Sequence, residues 1–182
     1  MADNWVIVVF AGILGAIIGS FLNVCILRLP KEESVVHPPS RCPRCGAGVR
    51  FYDNVPVFSW LVLRGRCRNC SNPISWQYPV IELATAFLWA WMAWRFAAPL
   101  EILNGALFLT LLLGIAMTDA REYIIPDEFS LGGLGIGLAL SLRLGFPGLI
   151  NAAIGAAVGF GTLWTVAALG RRMFGKEAMG GG

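Results

Sequence analysis

Two matched pairs of cysteines, Cys42-Pro43-Arg44-Cys45 and Cys67-Arg68-Asn69-Cys70, carry the most specific chemistry in this sequence. Each CxxC presents two thiolates from one turn, and 21 residues separate the pairs. Four thiolates complete a tetrahedral shell around zinc, at about 2.3 Å from the metal. A closed shell has no open position, so this zinc is expected to be structural. The proline-rich stretch around it lacks a core of its own and would gain its fold from the metal. Arg44, Arg66 and Arg68 stand nearby and are expected to favour the thiolate forms. The competing readings are two disulfides or a redox-active pair. A cytoplasmic setting disfavours the first. A redox site uses one CxxC, usually at a helix start, not two matched pairs. His37 is left out of the ligand set. Cys25, alone in an apolar run, reads as a small buried apolar residue.

The second group is acidic. Glu82, Asp119 and Asp127 stand within or against apolar runs, where a carboxylate is costly and usually functional. Two carboxyls sharing a proton activate water in aspartic proteases, one as base and the other donating to the carbonyl oxygen. On a continuous helix, Asp119 and Asp127 would be about 12 Å apart, at about 1.5 Å per residue. That is too far to share a proton, and Pro126 disfavours a helix at Ile125. Each acid also has a plainer reading. Asp119 is then a loop residue beyond a helix end, and Glu82 an acid favoured by a helix N-terminus. The last residues, Met179-Gly180-Gly181-Gly182, permit close backbone approach, or form a linker.

What positions these groups is read from the apolar pattern. Of 182 residues, 57% are hydrophobic and 14% charged, and the mean hydropathy is +0.68. Ordinary soluble domains are about 45–50% apolar and about 25% charged. The excess is gathered into runs long enough to cross a bilayer, which takes about 20 residues. Five spans are expected, at residues 5–27, 80–96, 102–118, 129–144 and 149–169. Pro79 is expected near the first turn of the second, where proline is tolerated. The only long polar stretch, 28–78, reads as turns and short extended pieces around its prolines. Residues 119–128 read as a short charged loop. Glycine and alanine in the last two spans suggest close helix packing in lipid.

Charge orients the chain. Placing the N-terminus outside puts 12 of the 14 Lys and Arg residues on the cytoplasmic side and leaves Arg95 and Arg143 near the outer face. The early charge pattern does not suit a cleaved signal peptide. The fold class expected is therefore an all-α polytopic membrane protein of about five transmembrane helices. A small cytoplasmic four-cysteine, zinc-type loop domain lies between the first and second. The divisions are 1–27, a first transmembrane helix; 28–78, the cysteine-bearing domain; and 79–182, a membrane core. The basic stretch is assigned to topology, and no nucleic-acid partner is expected.

Four stretches carry a resemblance to a known family. They are Gly19-Ser20-Phe21-Leu22-Asn23-Val24 with Arg28-Leu29-Pro30; Ser40 to Cys45, continuing through Tyr52-Asp53-Asn54-Val55-Pro56 and Ser59-Trp60-Leu61; Arg64 to Cys70, then Pro73-Ile74-Ser75 and Tyr78-Pro79 to Glu82-Leu83; and Asp119 with Ile125-Pro126-Asp127. In this order and over nearly the whole chain, they resemble the bacterial prepilin peptidases.

The resemblance implies an aspartic-type endopeptidase of the bacterial inner membrane. It would remove the leader of prepilins and pseudopilins after a glycine at the cytoplasmic face. The cysteine-bearing loop further implies methylation of the new N-terminus, with S-adenosylmethionine as donor. The first catalytic aspartate falls on Asp119, and Asp127 is given a supporting role. The second catalytic aspartate closes a GxGD motif whose first residues match Gly180 and Gly182. The chain is thus expected to be truncated before that acid, incomplete at the end of its membrane core, and without protease activity by itself. Glu82 is a weaker candidate for methyl transfer. The rival readings are a membrane scaffold whose zinc loop binds a cytosolic partner, and a transporter. The second is disfavoured because the spans hold few mid-span polar residues.

Overall fold

The computed structural model describes residues 5–174, with side chains through Arg172. Six α-helices account for most of them: α1 Trp5–Arg28, α2 Phe58–Val62, α3 Gln77–Arg95, α4 Pro99–Glu122, α5 Asp127–Ser141 and α6 Gly145–Phe174. Among the described residues there is no strand, only the isolated bridges Arg41–Gly48 and Arg66–Pro73. Five long helices fall where five spans are expected, and Pro79 sits in the first turn of α3. Three stretches are long and apolar enough to cross a membrane: Trp5–Lys31, Pro99–Glu122 and Asp127–Arg172. The helix α3, with Gln77, Glu82 and Arg95, is not among them.

The chain divides into two compact units, residues 1–117 and 118–182. In the first, α1 packs along α3 through glycine. A Cβ on Gly15 would stand 2.7 Å from Trp89 Cβ, and one on Gly19 would stand 2.9 Å from Glu82 Cα. Only glycine at these positions lets the two backbones approach this closely. Below this contact, Ala11, Trp89, Met92, Ala93 and Ala106 form the buried core. The Trp89 indole donates to Thr110 Oγ1 at 2.9 Å, and Thr110 donates to the Ala106 carbonyl at 2.7 Å. Both polar groups are thereby satisfied where no water reaches them.

In the second unit, α4 continues to Glu122, where Tyr123 turns to a left-handed φ of 56°. Asp119 therefore lies in the last turn of a helix and not in the loop expected from sequence. The 3-10 turn Leu142–Leu144 and Gly145, at φ +73°, join α5 to α6. At about 1.5 Å per residue, the 15 residues of α5 rise only about 22 Å, less than the hydrocarbon thickness of about 30 Å. Of the glycines in the last two helices, Gly132, Gly135, Gly155 and Gly159 face open space, whereas Gly148 backs onto Ser141 at the end of α5; elsewhere Gly15 and Gly19 of α1 and Gly105 of α4 lie closely against α3.

Candidate metal centre and membrane-edge carboxylates

The cysteine pairs sit on two turns built alike, 25 residues apart. In the first, Cys42 N–H donates to the Ala47 carbonyl at 2.9 Å and Gly46 N–H to the Cys42 carbonyl at 2.9 Å. In the second, Cys67 N–H donates to the Asn72 carbonyl at 2.8 Å and Ser71 N–H to the Cys67 carbonyl at 2.9 Å. Each turn closes through a left-handed residue, Gly46 at φ 70° and Ser71 at φ 56°. The flanks match as well: Val49 N–H meets the Ser40 carbonyl, and Ile74 N–H meets the Gly65 carbonyl. The backbone alone thus aims both sulfurs of each pair to one side.

The four sulfurs converge, all lying within 4.8 Å of one another, with Cys42 and Cys70 at 3.7 Å. A tetrahedral zinc at about 2.3 Å from each sulfur sets sulfur–sulfur edges of about 3.8 Å. The donor set and its spacing suit that ion. Amide groups surround the sulfurs. The Cys70 thiol is lowered to about 6, first by the Asn72 backbone N–H and then by the Asn72 side-chain amide, 3.3 Å from the sulfur. Cys45 is lowered by the Ala47 backbone N–H and then by the Asn69 amide, 3.6 Å away. Both favour the thiolate that a metal requires.

Arginine does not play the part that sequence suggested for Arg68. Its guanidinium grips Asp53 through Nε at 2.9 and 3.1 Å and Nη2 at 2.6 Å, and lies over the Tyr52 ring. Its hydrogen bonds hold the Asp53 carboxyl below the usual range. The clamp ties the residues before α2 to the second cysteine turn. Sequence reading gave Asn69, Asn72 and Asp53 no part in the site. The signal available was the 25-residue repeat, which aligns Gly46 with Ser71 and Ala47 with Asn72.

Glu82 is in the second turn of α3 and is buried. Its carboxylate accepts the Val57 N–H at 2.7 Å, with the Ser20 hydroxyl as a second partner. Val57 stands at φ 60°, ψ −50°, with Phe58 N–H donating back to the Pro56 carbonyl. This is a γ-turn of the rare strained kind, held by the bond to Glu82. Nearby, Asn23 donates to the Gly19 and Tyr78 carbonyls at 3.3 and 3.2 Å and accepts from Gln77 at 3.4 Å. The Asn23 bonds tie α1 to the first turn of α3, and the Glu82 bond to Val57 joins the segment before α2 to that pair.

In the second unit, Asp119 is exposed in the last turn of α4, and Asp127 is exposed as the first residue of α5. Pro126, extended at φ −62°, ψ 138°, breaks the helix between them. Gly180 and Gly182 lie outside the described residues.

Comparison with known proteins gives these features a family. Residues 13–96 match the Bacterial Peptidase A24 N-terminal domain, and residues 106–182 match the Type IV leader peptidase family. A Prepilin leader peptidase/N-methyltransferase of Dickeya chrysanthemi is 37% identical over 195 residues, covering 93% of this chain and 68% of the relative. The chain belongs to the type IV leader peptidase family. Relatives of the same name are 40% identical in Pectobacterium carotovorum subsp. carotovorum, over 94% of this chain and 69% of the relative, and 41% identical in Myxococcus xanthus, over 96% and 52%. The chain thus spans about half the length of the Myxococcus relative and just over two thirds of the other two. No solved structure matches it. The first family domain contains the cysteine turns and Glu82, and the second contains Asp119 and Asp127.

Proposed function

We propose that this protein is the membrane endopeptidase that removes prepilin or pseudopilin leaders at the cytoplasmic face of the inner membrane and methylates the new N-terminus. The observation carrying the reading is Asp119, an exposed carboxylate on the last turn of an apolar helix in the family's peptidase domain. A prepilin offers an apolar segment in the bilayer and a basic leader in the cytoplasm, so its scissile bond lies at a membrane edge. In this reading Asp119 and a second aspartate, following the glycine motif begun by Gly180 and Gly182, share one proton. One acts as base towards water, while the other protonates the carbonyl oxygen. Asp127 supports the site from the first turn of α5. Residues 28–78 form the cytoplasmic zinc domain, with Cys42, Cys45, Cys67 and Cys70 as ligands, and 79–182 belong to the peptidase core.

S-adenosylmethionine would supply the methyl group. The Glu82 carboxylate is engaged within the protein by the Val57 N–H and the Ser20 hydroxyl, which makes its part structural first.

The test is cleavage of a prepilin by the intact enzyme. Asp119→Asn is expected to slow it by about 10²-fold or more while membrane insertion is unchanged. Cleavage at the original rate would overturn the assignment.

A further inference from the structure

We propose that α2 lies in the interfacial layer of the bilayer, with Phe58, Leu61 and Val62 among the acyl chains of the leaflet nearest the cysteine module. These residues, spaced i, i+3 and i+4, share one helix face. They are 64%, 60% and 58% exposed. Trp76, next to α3, is 69% exposed, and its ring packs on Trp60 with centroids 4.1 Å apart. A tryptophan at such a position is typical of a membrane–water boundary.

Depth decides what covers this face. Val57, which opens α2, is bonded to Glu82. The Glu82 backbone lies against Gly19 of α1, nine residues before the charged end of that helix at Arg28. Nine residues rise about 13 Å. The start of α2 is therefore set well inside the level at which α1 becomes charged. A cavity of about 340 Å³ runs along α1 from Ile17 to Arg28 and is closed by residues of the 35–40 stretch and by Asn54 and Pro56, so the segment before α2 lies alongside the last three turns of α1. Interfacial helices seat their apolar faces about 5–10 Å into the headgroup–acyl boundary. At this depth an exposed side chain meets lipid, and Phe21 of α1 and Leu83 of α3 are likewise exposed apolar side chains. The charge agrees: residues 28–68 hold eight Lys or Arg against Glu32, Glu33 and Asp53, which suits anionic headgroups. The inference rests on α1 as a membrane span and is independent of the peptidase chemistry.

The experiment places photoreactive p-benzoylphenylalanine at residue 58 or 61, with residue 33 as the control. The chain is held in nanodiscs of phosphatidylcholine and phosphatidylglycerol, and adducts are read by mass spectrometry. Lipid adducts several-fold more abundant at 58 and 61 than at 33 are expected. Their absence at both, or cross-links there to a second copy or to added prepilin, would overturn the proposal. In the same discs, Leu61→Asp is expected to expose Arg64 to trypsin several-fold faster than Leu61→Phe does. Equal cleavage of the two variants would also overturn it.

Discussion

At the metal centre, short polar side chains and backbone amides do the electrostatic work. Asn72 gives Cys70 two donors, and Asn69 reaches across to Cys45 of the other pair. The purified protein is expected to hold about one zinc per chain, as four converged thiolates require. Cys70→Ser should lower that content sharply in metal analysis. Asp53→Asn should leave it unchanged, because the Asp53–Arg68 pair lies outside the four-thiolate shell. The cysteines were legible because their spacing is itself the site. Asn69 and Asn72 were not, because an amide that turns towards sulfur looks in sequence like any polar loop residue. The part given to Arg68 failed for a related reason: proximity in sequence does not show that Asp53, 15 residues earlier, captures the guanidinium.

At the level of elements, glycine decides how closely helices approach. Gly15 and Gly12 lie on the same side of α1 but meet different surroundings. A Cβ at Gly15 would stand 2.8 Å from the Thr85 carbonyl oxygen, and one at Gly12 would stand 3.6 Å from its nearest neighbour. Gly15→Ala is expected to cost about 1–3 kcal/mol by forcing the pair apart. Gly12→Ala should be nearly neutral, and thermal unfolding in detergent separates the two. The five long helices were legible from apolar runs alone. Their ends were less so. α4 extends four residues past the expected span because Thr118 to Glu122 keep helical geometry until Tyr123 turns. That short extension moves Asp119 from a loop onto a helix. The role of Glu82 was hidden because its partner is a backbone N–H at Val57, 25 residues earlier.

For the whole molecule, the two kinds of structure answer to different forces. The long helices follow apolar sequence, whereas residues 29–76 hold one five-residue α-helix and two short 3-10 turns and are organised by the cysteine turns and a few polar bonds. Chelation of the metal is therefore expected to open this segment to protease while far-UV circular dichroism keeps most of its helical intensity. A parallel collapse of helicity would show that the module carries the fold of the helices. Membership of the family was readable from the motifs, since they sit where residue type is tied to geometry: at the cysteine turns, at the start of α3, and at the close contact of Gly19 with Glu82.

The twin turns of the cysteine module have one more consequence. Because main-chain bonds aim the sulfurs, outward side chains such as Arg41, Arg44 and Arg50 carry little of the architecture. Such a surface can be rewritten by mutation while its frame persists. Selection can thus adjust what the module greets without reopening the question of how it stands.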